Sequence, residues 1–248
     1  MRLFAIGDIH LPGGPQGKTM DRFGEVWRDH PARIREHWAD LHREGDVLLI
    51  AGDLSWAMTL EEARADLAWI ESLPGRKVLI KGNHDYWWKS IKQVRAAFGP
   101  GVSALQRDHV VLDGLAIAGT RGWQPPGGEG LVDPIAPEGP PAYTEQDEKI
   151  YRREVHRLRL SLEQLERSGA AYDRLVVALH YPPMNSRHEP SGFTELLDRH
   201  GADLCVHGHL HGPEALAFAF EGRRRRTVYH CVSADHVDMR PRLLLDLT

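Results

Sequence analysis

The chain has 248 residues, of which 42% are apolar and 27% charged, with a formal net charge of −4. This size suits one large domain, and the weak negative charge argues against a general attraction to nucleic acid or anionic membranes. No apolar run reaches the ~18 residues of a membrane-spanning helix. The two cysteines form neither a disulfide framework nor a cysteine zinc site, and with no signal-peptide pattern they favour a cytoplasmic location.

Short apolar runs without alternation are typical of strands that are buried on both faces. In chain order they are Leu3–Ile6, Val47–Ile50, Val78–Ile80, Leu175–Leu179 and Leu204–Val206, with a further strand at Leu115–Ala118. Helical patterns lie between them. Thr59 with Glu62, and Thr144 with Asp147, predict the N-terminal caps of two of these helices. Alternating strands and helices predict an α/β fold.

The pattern of predicted strands differs in the C-terminal part of the chain. We expect three antiparallel strands there, at Ala215–Phe220, Thr227–Val232 and Leu243–Leu247, the first two joined by a turn near Gly222. Residues 120–143 contain eleven Gly or Pro and form either a surface excursion or a loop that walls the active site. Because no repeat or linker divides the chain, we predict a single domain, 1–248, with a loop insertion at about 120–143.

Polar motifs follow five of the apolar runs. They are Gly7-Asp8-Ile9-His10, Gly52-Asp53, Gly82-Asn83-His84-Asp85, His180, and His207-Gly208-His209-Leu210-His211. Ligands bind at the carboxyl ends of the strands in open α/β sheets. Residues spread over about 200 positions are therefore expected to meet at one sheet edge.

These motifs offer oxygen from Asp and Asn, nitrogen from His, and no sulfur. That mixture suits Mn, Fe, Zn, Co or Ni rather than an all-oxygen calcium site. The ligands are too many for one ion with an open position, and two ions about 3.5–4 Å apart that share a carboxylate would use them. Two such ions leave a cationic site, which favours an anionic ligand and above all phosphate.

The complete ordered set, from Asp8-x-His10 to Gly208-His209-x-His211, resembles the motifs of the calcineurin-like metallophosphoesterases. The resemblance extends from residue 8 to residue 211. It implies a four-layer α-β-β-α sandwich in which two mixed sheets pack face to face with helices outside. The late antiparallel strands would belong to the second of those sheets.

The resemblance also implies a role for each motif residue. Asp8, His10 and His211 would hold one divalent metal ion. Asn83, His180 and His209 would hold the second, and Asp53 would bridge both. A hydroxide between the metals would attack phosphorus. His84 would bind a phosphate oxygen and protonate the leaving group, with Asp85 orienting its ring.

Three flanking segments, Ser55–Met58, Tyr86–Lys89 and Thr120–Trp123, are similar to those of a group of bacterial predicted phosphohydrolases without an established substrate. The candidate substrate contacts are Asn83, His84, Trp56, Tyr86, Arg121 and Arg187. Arginine suits phosphate, and an aromatic ring can stack on a base. The aromatic residues could instead pack the loops onto the sheet.

The sequence thus favours a phosphoesterase that acts on a small phosphodiester, such as a nucleotide or cyclic nucleotide, because His84 would assist a poor leaving group. Three alternatives remain: a phosphomonoesterase or pyrophosphohydrolase, a nuclease, and a metal-bound scaffold without catalysis. A nuclease requires Arg223–Arg226 to extend a basic strip toward the metals; otherwise that run is a solvated hairpin turn. The intact pair His84-Asp85 argues against the scaffold.

Overall fold

The structure is a computed structural model that describes residues 1–14, 17–127 and 143–247. The chain divides into two compact units, one formed by Met1–Ala104 with Val232–Thr248 and the other by Leu105–Cys231. The single domain stays a prediction. Of the expected loop insertion at 120–143, residues 128–142 lie outside the described residues.

The strands, in chain order, are β1 (Arg2–Ile6), β2 (Val47–Ala51), β3 (Arg76–Ile80), β4 (Val102–Leu105), β5 (His109–Leu112), β6 (Leu115–Thr120), β7 (Arg174–Leu179), β8 (Leu204–His207), β9 (Gly222–Arg224), β10 (Thr227–Cys231) and β11 (Arg242–Asp246). The α-helices are α1 (His30–Leu41), α2 (Leu60–Ser72), α3 (Ile91–Ala96), α4 (Glu145–Ser168), α5 (Gly192–His200) and α6 (Gly212–Leu216). Short 3-10 turns at Asp21–Phe23 and Glu25–Trp27 precede α1.

The first unit contains a five-stranded mixed sheet with the order β11-β1-β2-β3-β4. Strands β1, β2 and β3 are parallel, and β11 is antiparallel to β1. Every residue of β1 and β2 is buried, as their continuous apolar character predicts. Ile6 pairs with Ile50, and Ile50 pairs with Leu79, so the three carboxyl ends lie at one edge.

Two helices of this unit show how the sequence specifies its packing. Trp38 of α1 packs edge-on against Phe4 of β1, with ring centroids 5.3 Å apart, and its indole donates to the carbonyl oxygen of Pro74. Helix α2 begins with the predicted capping box of Thr59 and Glu62, which satisfies N–H groups that the first turn would otherwise leave unbonded.

The second unit contains a six-stranded mixed sheet with the order β5-β6-β7-β8-β10-β9. Its four inner strands are parallel, and the edge strands β5 and β9 are antiparallel to their neighbours. Helix α4 begins with the predicted capping box of Thr144 and Asp147. The buried face of α4 packs into a core with Val177, Phe193 and Cys205.

The predicted C-terminal strands are partly wrong. The segment Ala215–Phe220 is not a strand, because α6 begins at Gly212 with Pro213 in its first turn. Short apolar runs cannot be assigned to helix or strand by periodicity alone. The antiparallel partner of β10 is β9, while β8 lies parallel to β10, and β11 joins the first sheet rather than the second.

The predicted α/β class, with two mixed sheets flanked by helices, is confirmed. The predicted strands at the five apolar runs and at Leu115–Ala118 are confirmed as well. In the part of the chain that the structure describes, no helix has both the length and the apolar character needed to cross a bilayer.

Candidate active site

In the first unit, the loops that follow β1 and β2 continue to bond to each other beyond the strands. The N–H of Asp8 donates to the carbonyl of Gly52 over 2.9 Å, and the N–H of His10 donates to the carbonyl of Asp53 over 3.0 Å. These bonds bring the side chains of two motifs together at the carboxyl edge of the sheet, where the sequence predicted a ligand site.

Asp8, His10 and Asp53 are buried there as a group of potential metal ligands. A ligand atom of Asp8 lies within 4.8 Å of one from His10 and of one from Asp53. The Nε2 atom of His10 is 3.8 Å from a carboxylate oxygen of Asp53. All three side chains are at most 1% exposed. Two buried carboxylates beside an imidazole form a donor set that a divalent cation would neutralise.

The electrostatics of Asp53 reflect this crowding. Burial raises the pKa of Asp53 well above its usual range, His84 opposes that shift, and the carboxylates of Asp85 and Asp8 add to it. A negative charge is therefore costly at this position without a cation. The donor set thus fits a metal centre.

The loop after β3 folds directly onto Asp53. The N–H of His84 donates to the Oδ1 atom of Asp53 over 2.8 Å. A Cβ atom at Gly82 would lie 1.9 Å from the same oxygen, so only glycine fits at this position. Asn83 is half-buried in this loop, between Gly82 and His84.

Backbone and indole N–H groups surround the carboxylate of Asp85. Its carboxylate is fully buried and accepts from the backbone N–H groups of Leu54, Ser55 and Gly82 and from the indole N–H of Trp87, at 2.7 to 3.2 Å. That Asp85 orients the ring of His84 stays a prediction. The Asp85 carboxylate joins the loops after β2 and β3.

Four of the seven candidate ligands adopt left-handed backbone conformations. Their φ angles are positive: Asp8 57°, His10 40°, Asp53 50° and His209 73°. Such backbone strain costs on the order of 1–3 kcal/mol per residue and is concentrated at functional sites. The strain thus lies in the loops that carry the candidate ligands.

The aromatic residues of the first unit divide by exposure. Trp87 and Trp88 are 2% and 1% exposed and belong to the core, whereas Tyr86 is 48% exposed and packs edge-on against His84 with ring centroids 6.1 Å apart. Trp56 is 7% exposed, and its ring is stacked on His10. Of these four aromatic residues, Tyr86 offers the most surface to a substrate.

In the second unit, the loops after β6, β7 and β8 are joined in the same way. The carbonyl oxygen of Arg121 accepts from the N–H groups of His180 and Tyr181, at 2.9 and 3.0 Å. The N–H of Gly208 donates to the carbonyl of His180 over 3.0 Å. The histidine motifs of this unit therefore meet at the carboxyl edge of its own sheet.

The three candidate histidine ligands of this unit are His180, His209 and His211. The rings of His180 and His209 lie 5.1 Å apart, and the ring of Tyr181 packs 4.0 Å from that of His209. His211 is 7% exposed. Tyr181 was not among the predicted site residues, although it directly follows His180 in the sequence.

The two candidate phosphate-binding arginines differ in their surroundings. The guanidinium of Arg121 lies 3.7 Å from the carboxylate of the fully buried Glu154 and 4.7 Å from the ring of Trp123. The side chain of Arg187 is 62% exposed and pairs with Glu189 at 3.3 Å. Arg121 is thus held by its own unit, while Arg187 stays open to solvent.

Comparison with known proteins identifies the family. A model of the family described as calcineurin-like phosphoesterase matches residues 1–213. The chain belongs to this family. Its two mixed sheets are consistent with the metallophosphoesterase fold. Enzymes of this family depend on two metal ions, and the chain carries His and Asp groups able to hold metal.

The individual proteins similar to this chain either match only part of it or have a low sequence identity to it. The Gene 66 protein of Mycobacterium phage D29 is 36% identical over 78 residues, which are 32% of this chain and 37% of the phage protein. The phosphopantetheinyl hydrolase PptH of Mycobacterium tuberculosis is similar in structure, with a TM-score of 0.54, 18% identity, and coverage of 98% of this chain and 95% of that protein.

The calcineurin-like phosphoesterase YfkN of Bacillus subtilis is similar as well, with a TM-score of 0.52 and 12% identity. That likeness covers 92% of this chain and 80% of the YfkN chain. At such low identities, both structural likenesses support the fold alone.

Gly82 provides a first test of the first-unit site. We expect Gly82→Ala to abolish tight Mn²⁺ binding in calorimetric titration, because its Cβ atom would displace the Asp53 carboxylate. The matched control is Gly101→Ala, since no atom lies within 4 Å of the added Cβ atom there. Binding by Gly82→Ala as tight as that of the control would contradict this reading of the site.

Asp85 provides a second test. Asp85→Asn replaces one carboxylate oxygen by an NH₂ group, which cannot accept from the N–H donors that surround it. We expect the free energy of unfolding in urea to fall by about 1–3 kcal/mol. The control is the exposed Asp40→Asn on α1, which should leave the free energy of unfolding unchanged. Equal stability of the two variants would show that the bonds of Asp85 contribute little.

Proposed function

We propose that this phosphoesterase hydrolyses a small phosphodiester with two divalent metal ions. The proposed metal ligands are Asp8, His10, Asp53, Asn83, His180, His209 and His211. The observation that carries the proposal is the buried group of Asp8, His10 and Asp53, whose crowded carboxylates need cations. The mixture of oxygen and nitrogen donors favours Mn, Fe, Zn, Co or Ni.

When bound, the metal ions would lower the pKa of a coordinated water molecule and neutralise charge on the phosphoryl oxygens. Asp53 is proposed as the ligand shared by both ions. The protein supports this role with the N–H of His84, which fixes one carboxylate oxygen, and with the missing side chain of Gly82.

His84 is proposed as the group that contacts a phosphate oxygen and protonates the leaving group. Its ring is half-buried beside Trp56 and Tyr86. A positioned imidazole that transfers a proton in the transition state contributes typically ~10²–10⁴-fold to the rate. We propose that Asp85 assists His84 by fixing the backbone of the surrounding loops, since its hydrogen bonds go to those loops.

The proposed substrate is a nucleotide or cyclic nucleotide. Tyr86 supports this choice because its exposed ring lies beside His84, the proposed proton donor. A base or another flat group could stack there. Arg187 is the arginine more open to a phosphate, and Asn83 and Arg121 remain candidate contacts. The stacking of Trp56 on His10 argues against Trp56 as a platform for a base.

A monoester or a pyrophosphate would use the same centre. The nuclease is less favoured because Arg225 pairs with Asp198 at 3.3 Å and Arg226 pairs with Asp203 at 3.2 Å, which removes two charges from the basic run. The buried Cys205 and Cys231, which form no disulfide bond among the described residues, support a proposed reducing, cytoplasmic location.

The decisive test of the function is hydrolysis of bis(p-nitrophenyl) phosphate and p-nitrophenyl phosphate with added Mn²⁺. We expect chelator-treated protein to be inactive and to regain activity with Mn²⁺. Asp53→Asn should lower kcat/KM by roughly 100-fold or more, because it removes a charge that the transition state depends on. The exposed Asp40→Asn is again the control.

Two outcomes would contradict the proposed function: full activity in Asp53→Asn, or full activity in metal-free protein. A ratio of diester to monoester kcat/KM below one would replace the diesterase by a monoesterase with the same centre.

A further inference from the structure

Trp56 is the common neighbour of two residues with separate proposed tasks. Its ring is stacked on the ring of His10, with centroids 4.7 Å apart and an angle of 15° between the planes. The ring of His84 lies 4.6 Å from that of Trp56, tilted by 52°. One indole therefore contacts both a proposed metal ligand and the proposed proton donor.

The indole is itself held in place. The backbone N–H of Trp56 donates to the carbonyl of Leu11 over 3.0 Å, so it is tied to the loop that carries His10. The preceding Ser55 is anchored by its hydroxyl, which donates to the carboxylate of Asp66. The ammonium of Lys18 lies 4.7 Å from the centroid of the Trp56 ring, a favourable cation–π distance.

We propose that Trp56 is a positioning residue that fixes the imidazoles of His10 and His84 relative to each other. The inference rests on the proposed function, in which His10 binds metal and His84 protonates the leaving group. The face of the indole ring positions the imidazoles, since the indole N–H has no hydrogen-bond partner among the described residues. Contact with a rigid plane restricts the rotation of both imidazoles.

The consequence for catalysis depends on the leaving group. In the proposed reaction the oxygen of a water molecule forms a new P–O bond while the P–O bond to the leaving group breaks. His84 gives a proton to the leaving-group oxygen, so an N–H bond of the imidazolium is replaced by an O–H bond. A p-nitrophenolate leaves without that proton, whereas a basic phenolate requires it. A misplacement of about 1 Å can cost roughly 100-fold in rate. Loss of Trp56 should therefore matter most for basic leaving groups.

The experiment compares kcat across a series of methyl aryl phosphates of increasing phenol basicity, with Mn²⁺ present. The variants are Trp56→Leu, which keeps apolar bulk without a ring, and Trp56→Phe, which keeps a ring. Trp88→Phe is the matched control. Trp88 is a buried tryptophan whose indole N–H also lacks a hydrogen-bond partner among the described residues, and its ring packs on Trp87 rather than on an imidazole. His84→Ala removes the proposed proton donor completely and so gives the largest effect expected in this series.

We expect Trp56→Leu to lower kcat by roughly 10–100-fold for the most basic phenol and by much less for p-nitrophenol. Trp56→Phe should restore most of the loss, and Trp88→Phe should match the wild type. Mn²⁺ affinity, measured by calorimetry, should fall by about 10-fold in Trp56→Leu, because residues that orient a metal ligand have effects of that size.

Equal losses for all phenols in Trp56→Leu, or unchanged kcat together with unchanged Mn²⁺ affinity, would overturn the inference. The proposed function itself is wrong if the wild type with Mn²⁺ hydrolyses none of these methyl aryl phosphates. If the wild type is active, and only His84→Ala, not Trp56→Leu, steepens the dependence of kcat on phenol basicity, the proposed function is supported. The proposed role of Trp56 is then wrong.

Discussion

The first unit is organised around the buried carboxylate of Asp53. Its residue lies at the end of β2, its carbonyl accepts the N–H of His10 from the loop after β1, and its side chain accepts the N–H of His84 from the loop after β3. Three strand ends therefore depend on one residue whose charge is costly where it lies. The requirement for glycine at position 82 follows from the same crowding. The cations that would balance this charge are those that the proposed chemistry uses.

The second unit repeats this organisation with different residues. The carbonyl of Arg121 joins the loops after β6 and β7, and the carbonyl of His180 joins those after β7 and β8. A buried carboxylate again supports the arrangement, since Glu154 accepts from the hydroxyl of Thr120 and pairs with Arg157 at 2.7 Å. Each unit thus fixes its candidate ligands by bonds among neighbouring loops, so the positions of the side chains are set by the backbone.

Much of this could be predicted from the sequence, because buried parallel strands read as continuous apolar runs and the polar motifs follow them directly. The capping boxes of Thr59 and Thr144 could be predicted because their bonds are local. What the sequence does not indicate depends on contacts far along the chain. Two of the donors to Asp85, the N–H groups of Leu54 and Ser55, lie in a loop about 30 residues away. Likewise, nothing in Ser55–Met58 indicates that Trp56 would be buried against His10.

Electron paramagnetic resonance of the Mn²⁺-loaded protein tests the proposal that Asp53 bridges two metal ions. We expect two Mn²⁺ per chain and the spectrum of a magnetically coupled pair, because ions that share a carboxylate lie about 3.5–4 Å apart. That coupling should be lost in Asp53→Asn and kept in Asp40→Asn. A spectrum of isolated Mn²⁺ ions in the fully loaded wild type would show that Asp53 does not bridge two ions.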